Sequence, residues 1–183
     1  MRSLHAPTAF AGRRPASPQL FTGRFNELVY LGLVYFEEAI YLMCVDDAIR
    51  WTVLWVTDLK DWESLERSCR RSWICQYGPP RRVRSDKESA LAGDAFGAFC
   101  EKYGIIRELV LVKDQHGPMS VLDRRVQIFR DFAPRLLDSL AESQIELEPE
   151  DVAAEAQIMM NTQLSYAGMT SYQCLFGQGP NET

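Results

Sequence analysis

The pattern of apolar and polar positions along the chain predicts an α/β domain that begins with three strands. Residues 26–36, NELVYLGLVYF, form an apolar run with the length and composition of a buried strand. Two further strands are expected at 40–45 and 50–56, because short polar corners separate them and this spacing is typical of an antiparallel meander. Gly32 stands in the middle of the first run, where a glycine weakens a strand because it packs no side chain.

After the meander, helical spacing of apolar residues alternates with short apolar runs. Alternation of strands and helices is typical of parallel strand pairing, so two later strands are expected beside the first one. The result would be a mixed five-stranded sheet, with three antiparallel and two parallel strands, flanked by helices. The predicted elements are a helix at 61–77, a strand at 82–84, a helix over 91–103 ended by Gly104, and a strand at 105–113.

Two more helices are predicted in the last third of the chain. Apolar residues from Leu122 to Leu137 recur at steps of three and four, which predicts a long helix beginning at Ser120. Pro134 is expected to kink or end it. Another helix is expected from Pro149 to about Gln163, and residues 170–177 are expected to form a short docked segment.

The composition is that of an ordinary globular domain without a membrane span. The chain has 183 residues, 46% of them hydrophobic, and acidic residues interrupt the longest apolar stretches. Residues 1–24 lack periodicity and acids, so they are interpreted as a disordered basic arm or linker before a domain at 25–180; an organelle transit peptide is the alternative. The five scattered cysteines form no CxxC pair, which disfavours a zinc site.

The net charge of −5 counts against a nucleic-acid binder, since affinity for phosphate is largely electrostatic. The distribution of charge is uneven, however, because basic residues cluster around the helix at 61–77 and the turn after it. A cluster of this kind forms a solvated face or a binding surface. Its members are Arg67, Arg70, Arg71, Arg81, Arg82, Arg84 and Lys87.

Six segments of the chain, in order, resemble the catalytic core of integrases from retroviruses and LTR retrotransposons. They cover roughly residues 25–180 and are specific together, although each is weak alone. The resemblance implies an RNase H-like fold and, by family, a polynucleotidyl transferase that integrates DNA. The segments are FNELVYLGLVYF (25–36), YLMCVDDAIRW (41–51), YGPPRRVRSDKESAL (77–91), FCEKYGI (99–105), QHGPMSVLDRR (115–125) and NTQLSYAGMTSYQCLFG (161–177).

In that family a strand aspartate, a later aspartate and a helix glutamate hold two divalent metals, which suits the preference of Mg²⁺ or Mn²⁺ for oxygen ligands. By resemblance, Asp86 matches the second aspartate and Asp123 matches the glutamate, at a separation of 37 residues (123 minus 86) that is close to the family's spacing. The strand aspartate falls on Gly32. The resemblance therefore implies catalytic and metal-ligand positions at Asp86 and Asp123, weakened metal binding and impaired catalysis.

Asp46 and Glu88 are the alternative acids near these positions, and Asp123 and Asp86 also fit other roles. Asp46 is expected three residues along the neighbouring strand from the residue facing Gly32, roughly 10 Å away, which is too far to replace a ligand. Glu88, two residues after Asp86, is the nearest substitute. Asp123 also fits a capping box with Ser120, and Asp86 also fits an ordinary turn.

The resemblance also implies partners. Lys113, Arg124, Arg125 and Arg130 flank the expected site where a DNA backbone would run, although a solvated basic face is equally compatible with the sequence. The family's behaviour implies a homodimer or an integrase subunit, weak or lost DNA binding, and a nuclear location. The alternative is a non-enzymatic interaction or scaffold module that reuses the fold.

Overall fold

The structure is a computed structural model that describes residues 23–57, 61–85, 89–110, 117, 119–141 and 143–179. The predicted arm, Lys113, Asp86 and Glu88 lie outside the described residues, apart from Gly23 and Arg24 of the arm. The elements are β1 (Leu28–Phe36), β2 (Ala39–Asp46), β3 (Thr52–Thr57), α1 (Trp62–Cys69), a π-helical segment (Arg70–Ile74), α2 (Cys75–Tyr77), β4 (Arg82–Ser85), α3 (Ser89–Ala92), α4 (Asp94–Lys102), β5 (Ile106–Leu109), α5 (Ser120–Ala141), α6 (Pro149–Thr162), β6 (Ser165–Tyr166), β7 (Met169–Thr170) and α7 (Ser171–Phe176).

Five strands form one mixed sheet in the order β3-β2-β1-β4-β5. The strands β1, β2 and β3 pair antiparallel, whereas β1, β4 and β5 pair parallel. The predicted mixed five-stranded sheet is therefore confirmed, with both later strands on the free side of the first. The expected register is confirmed as well, since Gly32 faces Met43.

Both faces of β1 are buried because helices cover the sheet on each side. Tyr30 and Val34 point toward the core formed with α5 and α6, and Val29 and Leu31 point toward the core formed with α1 and α4. This explains why the strand is an almost continuous apolar run. Gly32 shares the alternating face of Tyr30 and Val34, and therefore lies toward α5.

The amides of α6 protect the outer edge of the sheet. The Asn161 side chain bonds both backbone groups of Thr52, accepting from N at 2.9 Å and donating to O at 2.8 Å. The Gln157 side chain accepts from the backbone N of Leu54 at 3.0 Å. These bonds occupy backbone groups that an edge strand otherwise leaves open to another chain.

Several predicted boundaries were wrong. The helix expected at 61–77 contains the π-helical segment, and the next helix divides at Gly93 into α3 and α4. The fifth strand ends at Leu109 rather than at residue 113. The structure also adds the hairpin β6-β7, whose two-residue strands were too short to predict.

Pro134 does not end α5, which continues to Ala141. The proline is exposed, so water can solvate the carbonyl of Arg130 that its missing N–H leaves without a helical partner. Its neighbours Phe129 and Ala133 are fully buried against the sheet. Their burial holds this part of the helix in place.

Candidate functional site

The site predicted from the sequence centres on Gly32 in the middle of β1. In the parallel pair β1-β4, Leu31 lies opposite Ser85, so β4 reaches its end beside the residue before Gly32. Side chains at the carboxyl end of β4 and at Gly32 would thus be neighbours in the sheet. Asp86, the next residue in the sequence, is outside the described residues.

Leu122, in the first turn of α5, packs directly over Gly32. A Cβ atom placed on Gly32 would lie 2.6 Å from Cδ2 of Leu122, well inside the ordinary carbon contact distance of about 3.5–4.0 Å. Leu122 is itself 4% exposed and belongs to the core cluster. The space that a side chain on Gly32 would need is therefore filled by a buried apolar group.

Asp123 follows Leu122 and is exposed in the first turn of α5. Its backbone N–H donates to the carbonyl of Met119 at 3.0 Å. Met119 therefore occupies the N-cap position, and Ser120 is the first residue of α5. The predicted capping box therefore does not have Ser120 as its N-cap. A carboxylate in this turn still interacts favourably with the helix dipole.

The described residues do not fit a pair of divalent metals. They contain no group of three His, Cys, Asp or Glu side chains that could hold an ion. A hard cation needs several oxygen ligands, and a two-metal site needs carboxylates between the ions. Leu122 supplies an apolar surface over Gly32, the position at which the resemblance predicts the first of those carboxylates.

Asp46 is not available as a substitute ligand. Its carboxylate accepts hydrogen bonds from the backbone N–H groups of Asn26, Ala48 and Ile49 at 2.8–2.9 Å. It is fully buried, and burial raises the pKa of the Asp46 carboxyl while those amide bonds oppose the rise. Asp46 thus shapes the turn between β2 and β3, as its position in the sequence predicts.

Of the four basic residues expected to face DNA, Arg124 and Arg130 are exposed on α5, while Lys113 lies outside the described residues. Arg125 differs from the expectation, because it is only 1% exposed. Its Nη2 donates to the carbonyl of Arg50 at 2.7 Å and its Nη1 to that of Met160 at 3.2 Å. Arg125 therefore joins α5 to the β2-β3 turn and to α6 instead of facing solvent.

Acidic residues partly neutralise the basic cluster around β4. Arg82 and Arg84 both bond Glu108, at 3.0 Å and 2.6 Å, and Arg81 bonds Glu27 at 3.0 Å. Guanidinium groups paired in this way present less positive charge to a phosphate backbone. The basic cluster therefore presents less unpaired positive charge than its number of arginines implies.

The buried carboxylate of Asp47, in the β2-β3 turn, was not predicted to bind other side chains. Asp47 accepts hydrogen bonds from the Tyr30 hydroxyl at 3.0 Å and from Nη1 of Arg50 at 2.8 Å. Burial, followed by the nearby Asp47 carboxylate, raises the pKa of Tyr30 to about 12.

The burial of Arg125 could have been found from sequence. Arg125 lies three residues after Leu122 and four before Phe129, and therefore on the apolar stripe of α5.

Comparison with known proteins identifies the fold. No protein-family model and no curated protein matches the sequence. The structure is similar to the HTLV-2 integrase catalytic core domain solved with magnesium in a dimeric form, with a TM-score of 0.66 and 14% identity over 81% of this chain and 94% of that one. It is also similar to the catalytic core domain of BIV integrase, with a TM-score of 0.65 and 14% identity over 81% and 93% of the two chains.

A third similar structure is a simian T-cell lymphotropic virus intasome in complex with the PP2A regulatory subunit B56 gamma. The TM-score is 0.70 at 15% identity, over 85% of this chain and 55% of that chain, so this chain spans about half the length of the intasome chain. The chain has the RNase H-like fold of retroviral integrase catalytic cores.

Proposed function

We propose that this chain is an integrase-type catalytic core that has lost its two-metal site and does not cleave or join DNA. The observation that supports this most directly is the packing of Leu122 against Gly32, which fills the place of the missing strand carboxylate. Loss of a ligand alone would leave an opening. Here an apolar side chain has replaced it, so the local packing has adapted to the absence of the carboxylate.

A cleavage and strand-transfer assay in Mn²⁺ tests the proposal. The unaltered protein is expected to be inactive. The reversion Gly32→Asp, Leu122→Ala, Asp123→Glu restores three carboxylates with Asp86 and removes the obstructing leucine. Activity in this triple variant alone would identify a decayed integrase whose scaffold survives.

The matched control carries Gly32→Asn, Leu122→Ala and Asp123→Gln. It has nearly the same shape but lacks the added negative oxygens that divalent metals require. Activity in the unaltered protein, abolished by Glu88→Ala, would contradict the proposal, because another acid would then have taken over as a ligand.

We further propose that DNA binding is weak. The exposed basic residues of α5 are Arg124, Arg130 and Arg135, whereas Arg125 is buried and Arg84 is paired with Glu108. Fluorescence anisotropy with a labelled duplex at low salt tests this. We expect weak binding with a shallow salt dependence, since the slope grows with the number of phosphates neutralised.

The second candidate function is a non-enzymatic subunit that pairs with another copy of this core or with an integrase. Neutralisation of the β4 arginines by Glu108 and the net charge of −5 favour it over a DNA-binding role. Sedimentation equilibrium together with the anisotropy measurement separates the two functions. Dimers without DNA affinity at low salt would favour the subunit, and monomers that bind DNA would exclude it. A nuclear location remains part of the proposal, and imaging of a fluorescent fusion tests it.

A further inference from the structure

A pocket of about 550 Å³ lies between the β2-β3 turn, the start of α5, and the segment formed by β6, β7 and α7. Its volume falls in the range of about 300–1,000 Å³ that is usual for small-molecule sites. Three arginines and several apolar side chains line it. They include Arg50, Arg124, Arg125, Tyr166, Met169 and Cys174.

Arg125 is a buried positive charge without a carboxylate partner among the described residues. Its two terminal nitrogens donate to backbone carbonyls, and its Nε atom is buried with no hydrogen-bond partner in the described part of the chain. The Tyr166 ring covers the guanidinium, with the ring centroid 5.0 Å from Cζ. A buried charge is costly to leave unpaired, so an anion at this position would be favourable.

The charges of the residues that line the pocket also favour an anion. Arg50 is paired with Asp47, yet none of the described lining residues is acidic. Burial lowers the pKa of Arg125 to about 10, which leaves the group charged at neutral pH. Ser120 and Val121, at the positive end of the 22-residue helix α5, also line the pocket.

The remaining walls are apolar. Met169, the Tyr166 ring and Val121 provide surface for a body without charge, and the exposed thiol of Cys174 lies at the same pocket. A single inorganic ion would fill only a small part of the volume. The pocket therefore suits a ligand with both a charged group and an apolar part.

We propose that this pocket binds a small organic anion, with one negatively charged group held by Arg124 and Arg125 and a flat apolar body against Tyr166 and Met169. The inference does not depend on the proposed loss of the metal site, because the carboxylate positions and the pocket have different residues. It would stand whether or not the unaltered protein cuts DNA.

Two fluorescent probes of matched shape test the proposal. 1-Anilinonaphthalene-8-sulfonate carries an anionic group on an aromatic body, and N-phenyl-1-naphthylamine has the same body without the charge. The anionic probe should bind with at least tenfold higher affinity and at one site per chain. Equal affinities would overturn the proposal, since the arginines would then contribute nothing.

The two exposed cysteines locate the bound probe. Cys174 lines the pocket, whereas Cys75 is exposed on α2 and does not line it. Saturating anionic probe should slow alkylation of Cys174 several-fold and leave the alkylation rate of Cys75 unchanged, as measured by peptide mass spectrometry. Unchanged alkylation of Cys174, or equal protection of both thiols, would overturn the proposal.

A pair of substitutions on one helix completes the test. Arg124→Gln should weaken binding of the anionic probe about three- to fivefold, which corresponds to the roughly 1 kcal/mol of a partly exposed charge interaction. Arg130→Gln removes another exposed charge from α5, one that does not line the pocket, and should leave the affinity unchanged. Identical losses in both variants would mean that only the general charge of the surface matters, which would contradict the proposal.

Discussion

The contact between Gly32 and Leu122 predicts an unusual response to adding a single methyl group. In Gly32→Ala the new Cβ would lie 2.6 Å from Cδ2 of Leu122, about 1 Å inside ordinary carbon contact. Overpacking of this kind costs about 1–3 kcal/mol, and replacing a strand glycine returns about 0.5–1 kcal/mol of backbone entropy. Gly32→Ala should therefore destabilise the protein by up to about 2.5 kcal/mol.

A double-mutant cycle shows whether Leu122 causes that cost. Leu122→Ala alone should cost about 2–5 kcal/mol, because it leaves a cavity in the core. In the double variant the added methyl enters this cavity, so the double variant should be more stable than the sum of the single effects by about 1–2 kcal/mol. Urea denaturation at constant pH gives the four free energies of unfolding, provided that the m-values agree.

Gly23 supplies the control for the cycle. A Cβ there would meet nothing within 4 Å, so Gly23→Ala and Leu122→Ala should be additive within about 0.5 kcal/mol. The reasoning would be refuted if Gly32→Ala were stabilising, or if its effect and that of Leu122→Ala were additive. Either result would mean that Leu122 does not obstruct a side chain at Gly32.

Two further predictions concern buried hydrogen bonds. Asn161→Ala leaves both backbone groups of Thr52 without partners and should lower the free energy of unfolding by about 2–4 kcal/mol. Thr162→Ala, at a half-buried position on the same helix, should cost under about 1 kcal/mol, and equal losses in the urea titration would exclude the edge-protecting role. Tyr30 keeps its proton up to about pH 12 when folded but loses it near pH 10 when unfolded, so its contribution to stability is present below pH 10 and is lost as the pH rises from 10 to 12. Tyr30→Phe should reduce the alkaline decline in the free energy of unfolding, and an unchanged decline would assign it to other groups.

Much of the sheet could be predicted because β1, β2 and β3 are apolar runs separated by short polar corners. Burial on both faces makes such runs conspicuous, and their alternation with helices predicts the parallel pairs. Element ends were less predictable, since they depend on tertiary contacts. The continuation of α5 past Pro134 depends on the burial of Phe129 and Ala133, which a local proline rule does not include.

The candidate site was only partly predictable from the sequence. The resemblance predicts a missing carboxylate at Gly32, and this stays a prediction. Sequence alone could not show that Leu122 packs over Gly32, because that contact joins residues 90 positions apart (122 minus 32). The expectation that Arg125 faces DNA was wrong in its placement. The charge of Arg125 indicates an exposed residue, whereas its position on the apolar stripe of α5 indicates a buried one, and the residue is buried.

Binding of Mn²⁺ tests the central claim most directly, because it reports on the metal site without requiring a DNA substrate. Titration followed by electron paramagnetic resonance counts the bound ions per chain. The account predicts no Mn²⁺ pair in the unaltered protein, and recovery of binding in the variant with Gly32→Asp, Leu122→Ala and Asp123→Glu. Two bound ions in the unaltered protein, lost on Asp86→Asn or Asp123→Asn, would contradict it.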